Sequence, residues 1–202
     1  MSLDTKIIKA AQEGDLTSII AYCNKGHNIE DKDVEHAATL LYFAAEKGQT
    51  KIVSYLLERG ANPDSISKLG ETPLMKATES NETEVIRLLL DNGVNVNHQS
   101  LSGETALHIA SRKLNSEALE LLLDRGADRH LQDQNGRTAF YYALFAKSKK
   151  VKISVSVDER NAFSIINQLQ SFGIFGSIKT SSNNVSSQFD NQLDNNNSFQ
   201  IP

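Results

Sequence analysis

One period constrains this chain more than any other feature. Thr72, Thr105 and Thr138 are spaced 33 residues apart, and so are Gly60, Gly93 and Gly126. Gly70, Gly103 and Gly136 keep the same step, as do Leu57, Leu90 and Leu123. A fixed period of this size means stacked supersecondary units, because one unit cannot bury its apolar face alone. The unit is clearest between Gly103 and Ala127. Thr105 has a short hydroxyl side chain that can accept from backbone N–H groups in a first helical turn. Leu107 and Ala110 follow on one helix face, three residues apart. Ala118, Leu119, Leu122 and Leu123 form a second apolar face, and Gly126 stands where a left-handed residue closes a helix. The unit reads helix, tight turn, helix, glycine stop. Pro73, directly after Thr72, suits the first helical position, where its missing donor is not needed.

The segments E-T-P-L-M-K-A at 71–77, E-T-A-L-H-I-A at 104–110 and L-L-L-D-N-G-V-N-V-N at 88–97 resemble the ankyrin repeat. The resemblance covers roughly residues 1–176. It implies an all-α ankyrin-repeat solenoid of helix–turn–helix units with β-hairpin-like finger loops. The repeats are expected at about 3–33, 34–66, 67–99, 100–132 and 133–176, followed by a disordered C-terminal tail at 177–202. The family shares a scaffold rather than a chemistry, so what the scaffold binds must be read from its surface.

The first repeat is degenerate. Ile7 and Ala10 stand 34 residues before Leu41 and Ala44, and Asp15 is expected to cap the second helix. Its outer face is polar (Lys6, Lys9, Gln12, Glu13), as a terminal capping repeat requires. The lone cysteine, Cys23, aligns with Leu57 and is expected at a core position as an unreactive thiol. The second repeat has Ala37 where later repeats have Gly70, Gly103 and Gly136. The connection into it is also one residue longer, so the loop at 31–38 is expected to depart from the usual finger.

The fifth repeat begins on schedule with Thr138, Phe140 and Ala143, but Gly173 comes 47 residues after Gly126, which leaves an insert at 147–160. Within it Val151, Ile153, Val155 and Val157 alternate with polar residues at a strand period. The insert admits a loop, a strand that pairs with a partner's strand, or a basic contact through Lys147, Lys149, Lys150 and Lys152. Seven aromatic residues lie within 140–175, which suits either a bulky terminal cap or an aromatic pocket. From 177 the chain is rich in Ser, Asn and Gln and is too poor in apolar residues to offset its ordering entropy.

Composition narrows the function. The 202 residues include 25 acids and 21 bases, a net charge of −4, which gives no general attraction to nucleic acid or an anionic membrane. The opening M-S-L-D-T-K-I-I-K-A lacks the apolar core of a signal peptide, and a cytoplasmic location is expected. The five histidines form no i, i+4 pair, no glycine-rich phosphate loop appears, and no nucleophile has a base at a recognisable spacing. No cofactor, metal or catalytic residue is expected. His108 fills a slot whose imidazole, by the family resemblance, makes structural hydrogen bonds.

The resemblance further implies a concave groove of finger tips and first helices as the binding surface. Position by position this means Lys68, Leu69, Glu71, Glu79 and Ser80 in the third repeat. It means Leu101, Ser102, Glu104, Arg112 and Lys113 in the fourth, and Gln134, Asn135, Arg137 and Phe145 in the fifth. Glu46 and Lys47 extend the row. These could be ordinary solvated positions, but Leu69 and Leu101 are apolar at finger tips, and Arg112, Arg137 and Phe145 are hot-spot types. A monomer that binds a protein partner is therefore expected. A secreted microbial effector that engages a host protein, or a regulatory subunit of an enzyme, are the alternatives.

Overall fold

The computed structural model describes residues 2–143. Over that span the chain forms four helix pairs: α1 (Thr5–Glu13) with α2 (Leu16–Asn24), α3 (Leu40–Glu46) with α4 (Thr50–Glu58), α5 (Pro73–Ser80) with α6 (Thr83–Asp91), and α7 (Ala106–Lys113) with α8 (Ser116–Asp124). A further helix starts at 139. The first helices pack in the order α1, α3, α5, α7, and the second helices α2, α4, α6, α8 form a parallel layer behind them. The insert at 147–160, the cap aromatics beyond Tyr142 and the tail lie outside the described residues.

Local chemistry explains these elements. Thr72 and Thr105 cap α5 and α7, each accepting from the backbone N–H three residues on, and Asp15 caps α2 through Ser18. Between paired helices, Gly14, Gly48, Asn81 and Leu114 occupy the same turn position with φ of 83°, 66°, 63° and 55°. This left-handed residue lets the next N–H reach back: Asp15, Gln49, Glu82 and Asn115 donate to Ala10, Ala44, Ala77 and Ala110 at 2.9–3.0 Å. Helix ends close this way because the reversed residue satisfies carbonyls the helix leaves free.

The core follows the sequence register closely. Leu74, Ala77, Val85, Ile86, Leu89 and Leu90 are all buried, and so are Leu107, Ala110, Ala118, Leu119 and Leu122. One expectation needs correcting. Leu57, Leu123 and Cys23 are half-buried and do not share the deep burial of Leu90, although Leu57 and Leu123 fill the same repeat position. Partial burial still pushes the Cys23 thiol pKa up, while Arg59 and Tyr55 pull it back without cancelling the rise, so its thiolate fraction is small.

The loop at 31–38 also departs from expectation, because it closes as the others do. Asp33 N–H donates to the Ala38 carbonyl at 3.0 Å, as Ser67 does to Glu71 and Ser100 to Glu104 at 2.9 Å. Ala37 takes the left-handed conformation, φ 50°, that glycine takes elsewhere. The Asp33 carboxylate holds the longer loop by accepting from the N–H groups of Glu35, His36 and Ala38 at 2.8–3.1 Å.

Candidate functional site: the finger and first-helix face

Each finger is built around one acceptor side chain. Ser67 Oγ accepts from the N–H groups of Leu69 and Glu71, and Ser100 Oγ accepts from that of Ser102. In the fourth finger Asp133 accepts from Asn135 N–H and Arg137 N–H at 2.8 Å and from the Tyr142 hydroxyl at 2.6 Å. Burial pushes the Asp133 carboxyl up, but these donors outweigh it and hold the pKa below the ordinary carboxylate value.

Neighbouring fingers join through their backbones. Lys68 N–H donates to the His36 carbonyl at 2.6 Å, Leu101 N–H to that of Leu69 at 3.0 Å, and Gln134 N–H to that of Ser102 at 3.0 Å. Glycine is needed beneath these joins. A Cβ on Gly103 would lie 2.8 Å from the Gln134 nitrogen and 2.9 Å from the Asp133 Cα. The Gln134 side chain also donates to the Leu101 carbonyl. The joins bring the two finger-tip leucines side by side, and both point into solvent: Leu69 is 62% exposed and Leu101 65%.

His108 ties helix to finger. Its Nδ1 accepts from Thr105 N–H at 3.2 Å, so Nε2 carries the proton and donates to the Arg137 carbonyl at 3.0 Å. The ring is fully buried, and the structural role expected of it holds. In the second repeat Tyr42 fills the same slot and reaches the corresponding residue of the next finger through a side chain, donating its hydroxyl to Glu71 at 2.8 Å.

The exposed side of the first helices carries a linked charge network. Lys76 Nζ lies 3.1 Å from Glu79 and 5.9 Å from the centre of the Tyr42 ring. Burial lowers the Lys76 pKa, but Glu79, Glu71 and Glu46 overcome this and raise it. Burial raises the Tyr42 hydroxyl pKa, and hydrogen bonding to Glu71 raises it further. Glu79 is held low, because Lys76, Arg112 and Lys113 outweigh its burial. Arg112 pairs with Glu104 at 3.5 Å, and the Arg137 guanidinium lies 5.1 Å over the Tyr141 ring.

The expected site residues therefore fall into two groups. Leu69, Leu101, Ser102, Gln134 and Asn135 occupy finger tips, with Lys68 beside them. Glu71, Glu79, Glu104, Arg112, Lys113 and Arg137 join the charge network at the finger bases and first helices. Phe145 lies outside the described residues. Sequence reasoning missed Tyr42, Lys76 and Tyr141. The available signal for Tyr42 and Tyr141 was the T-x-x-H register, which places both in the imidazole slot, from which Tyr42 reaches the next finger.

This is a stack of helix pairs joined by finger turns, and comparison with known families decides which kind. A family model described as ankyrin repeats (3 copies) matches residues 7–100, and a second, ankyrin repeats (many copies), matches residues 89–143. The chain belongs to the ankyrin repeat family. Ankyrin repeats are generally protein–protein interaction modules and typically not catalytic. Set against the curated proteins, the chain matches none. No helix among the described residues is long and apolar enough to cross a membrane.

Proposed function

We propose that this ankyrin repeat chain is a binding module that presents the groove formed by its finger tips and first helices to a protein partner. The observation that carries this reading is the adjacency of Leu69 and Leu101. Two large aliphatic side chains, both more than half exposed, are held next to each other by a backbone hydrogen bond at the tips of two fingers. They contribute nothing to the core that the stack buries. Exposed apolar side chains rimmed by polar groups mark an interaction surface. Arginine and tyrosine on the finger bases and first helices, in Arg112, Arg137 and Tyr141, are the residue types that dominate binding energy in interfaces.

The test is affinity capture with the full chain beside a triple variant, Leu69→Ser, Leu101→Ser and Arg112→Ala, read by mass spectrometry. The changed side chains are on the surface, so the variant should keep the wild-type urea midpoint. A protein captured by the wild type and lost from the variant supports the groove. Equal capture by both excludes it, and loss on deleting 147–160 alone would move the site to the insert.

A further inference from the structure

One hydrogen bond recurs between the fingers and stops at an open end. Lys68, Leu101 and Gln134 each follow the acceptor residue of their finger by one position, and each N–H donates to the finger before at 2.6–3.0 Å. Val34 holds the same place in the first finger, directly after Asp33. Among the described residues no finger precedes it, and its N–H reaches no acceptor. Ser2 and Leu3 run beside this finger, but Leu3 N–H donates to the Lys32 carbonyl at 3.1 Å and the pairing goes no further toward Val34. The Val34 residue is 84% exposed, more than Leu69 or Leu101. An edge donor beside an exposed apolar side chain is a template on which another chain can pair.

The joins within the stack define what such an edge takes. On Leu101 sits the pair Leu69–Gly70: the Leu69 carbonyl accepts, and Gly70 follows with φ 73°. A Cβ on Gly70 would lie 2.9 Å from the Leu101 nitrogen and 3.3 Å from the Leu101 Cγ. On Gln134 sits Ser102–Gly103, with φ 76° at the glycine, and on Lys68 sits His36–Ala37, with φ 50° at the alanine. Each occupant is a turn whose accepting residue precedes a left-handed one, the conformation that glycine adopts without strain. A second copy of the chain does not fit. Two Val34 edges would face each other donor to donor. The Asn135–Gly136 turn of a second copy runs into the helix that starts at 139, and seating that turn on Val34 would drive this helix onto α1.

We propose that the Val34 edge of the first finger docks a tight turn of a different protein, one that carries an apolar residue followed by glycine. The carbonyl of the apolar residue accepts from Val34 N–H, its side chain covers the Val34 isopropyl group, and the glycine lets the two backbones close. The arrangement repeats the way Leu69–Gly70 seats on Leu101, and it is main-chain pairing with an apolar contact for selectivity. The site is distinct from the groove at Leu69 and Leu101 and does not depend on it.

The experiment is an NMR titration of the isotope-labelled full chain with a disulfide-closed peptide that copies residues 65–72, S-I-S-K-L-G-E-T. One backbone hydrogen bond and a small apolar contact give a weak complex, about millimolar, which this method reads. The Val34 amide is expected to shift saturably and to exchange more slowly with solvent, while the Leu101 amide stays in place. Binding is expected to change little with salt, since no charge pair holds the turn. It is expected to weaken about threefold or more with Val34→Asp in the chain, and likewise with Gly70→Val in the peptide. The Val34 side chain is exposed, so the chain variant keeps its fold, which its far-UV circular dichroism checks. An unmoved Val34 amide overturns the inference, and so does equal binding by either variant. Shifts centred on Leu69 and Leu101 would place the peptide on the groove and overturn it as well. A Val34 shift that appears with rising chain concentration and no peptide would assign the edge to a second copy and overturn the stated partner.

Discussion

Leu89→Ala probes the stack at its most constrained point. Leu89 is 0% exposed on α6, and α6 packs between α4 and α8. The substitution removes three carbons, which at about 0.8 kcal/mol each gives roughly 2.4 kcal/mol of lost transfer energy. A cavity term adds to this, because α6, held by turn backbone bonds and packed between α4 and α8, cannot close in on the gap. The expected cost is about 3–4 kcal/mol, inside the range of ~2–5 for buried leucines. With a urea slope of about 2 kcal/mol/M, the midpoint should fall by about 1.5–2 M. Leu57→Ala is the internal control. Leu57 is half-buried on α4, so its loss should cost roughly half as much. Urea unfolding of the full chain followed by far-UV circular dichroism reads both. A Leu89→Ala midpoint within error of the wild type, or a larger loss for Leu57→Ala, would refute the burial argument.

Three further outcomes are expected. Gly103→Ala should lose more stability than Gly126→Ala. Both have positive φ and share a strain of about 1–2 kcal/mol, but only at Gly103 does the new Cβ meet backbone, as paired urea curves would show. His108→Ala should cost ~1–3 kcal/mol, because it leaves the buried Thr105 N–H and the part-buried Arg137 carbonyl without their partner; His108→Gln should recover part of the loss in thermal unfolding. The depressed Asp133 pKa means that its contribution is complete above the unfolded carboxylate value of about 3.9 and is lost as pH falls through the lower folded value. Asp133→Asn should therefore flatten the acid limb of a stability–pH profile, and an unchanged limb would show that the fourth finger does not depend on that charge.

The helix pairs were legible because their signals are local and repeated. Thr72, Thr105 and Asp15 announce helix starts, and Leu74, Leu89, Leu107 and Leu122 keep one register through successive units. Ala37 was misleading, because the glycine rule ranks conformational cost, whereas here the Asp33 carboxylate and its three backbone donors hold the residue left-handed. Cys23 and Leu57 were placed too deep. The period fixes which repeat position a residue fills, but not how deeply each repeat's neighbours cover it: Leu90 is buried where Leu57 and Leu123, at the same position, are half-buried. The candidate face was legible residue by residue and not as a network. Tyr42 and Glu71 lie 29 residues apart, and the described repeats do not combine these two side chains a second time.

The finger joins carry a consequence for how such a chain can change over time. Lys68, Leu101 and Gln134 fill the same place in three successive fingers, and each donates its backbone N–H to the finger before, with the Gln134 amide adding a second bond of its own. A cation, an aliphatic chain and an amide thus serve the same join. The bond common to all three joins reads the peptide group and not the side chain, so much of the variation at these tips is invisible to folding. Replacements there can accumulate, be tried against new surfaces and be discarded while the stack persists. The side chains displayed at these tips can therefore drift on a different clock from the architecture beneath them.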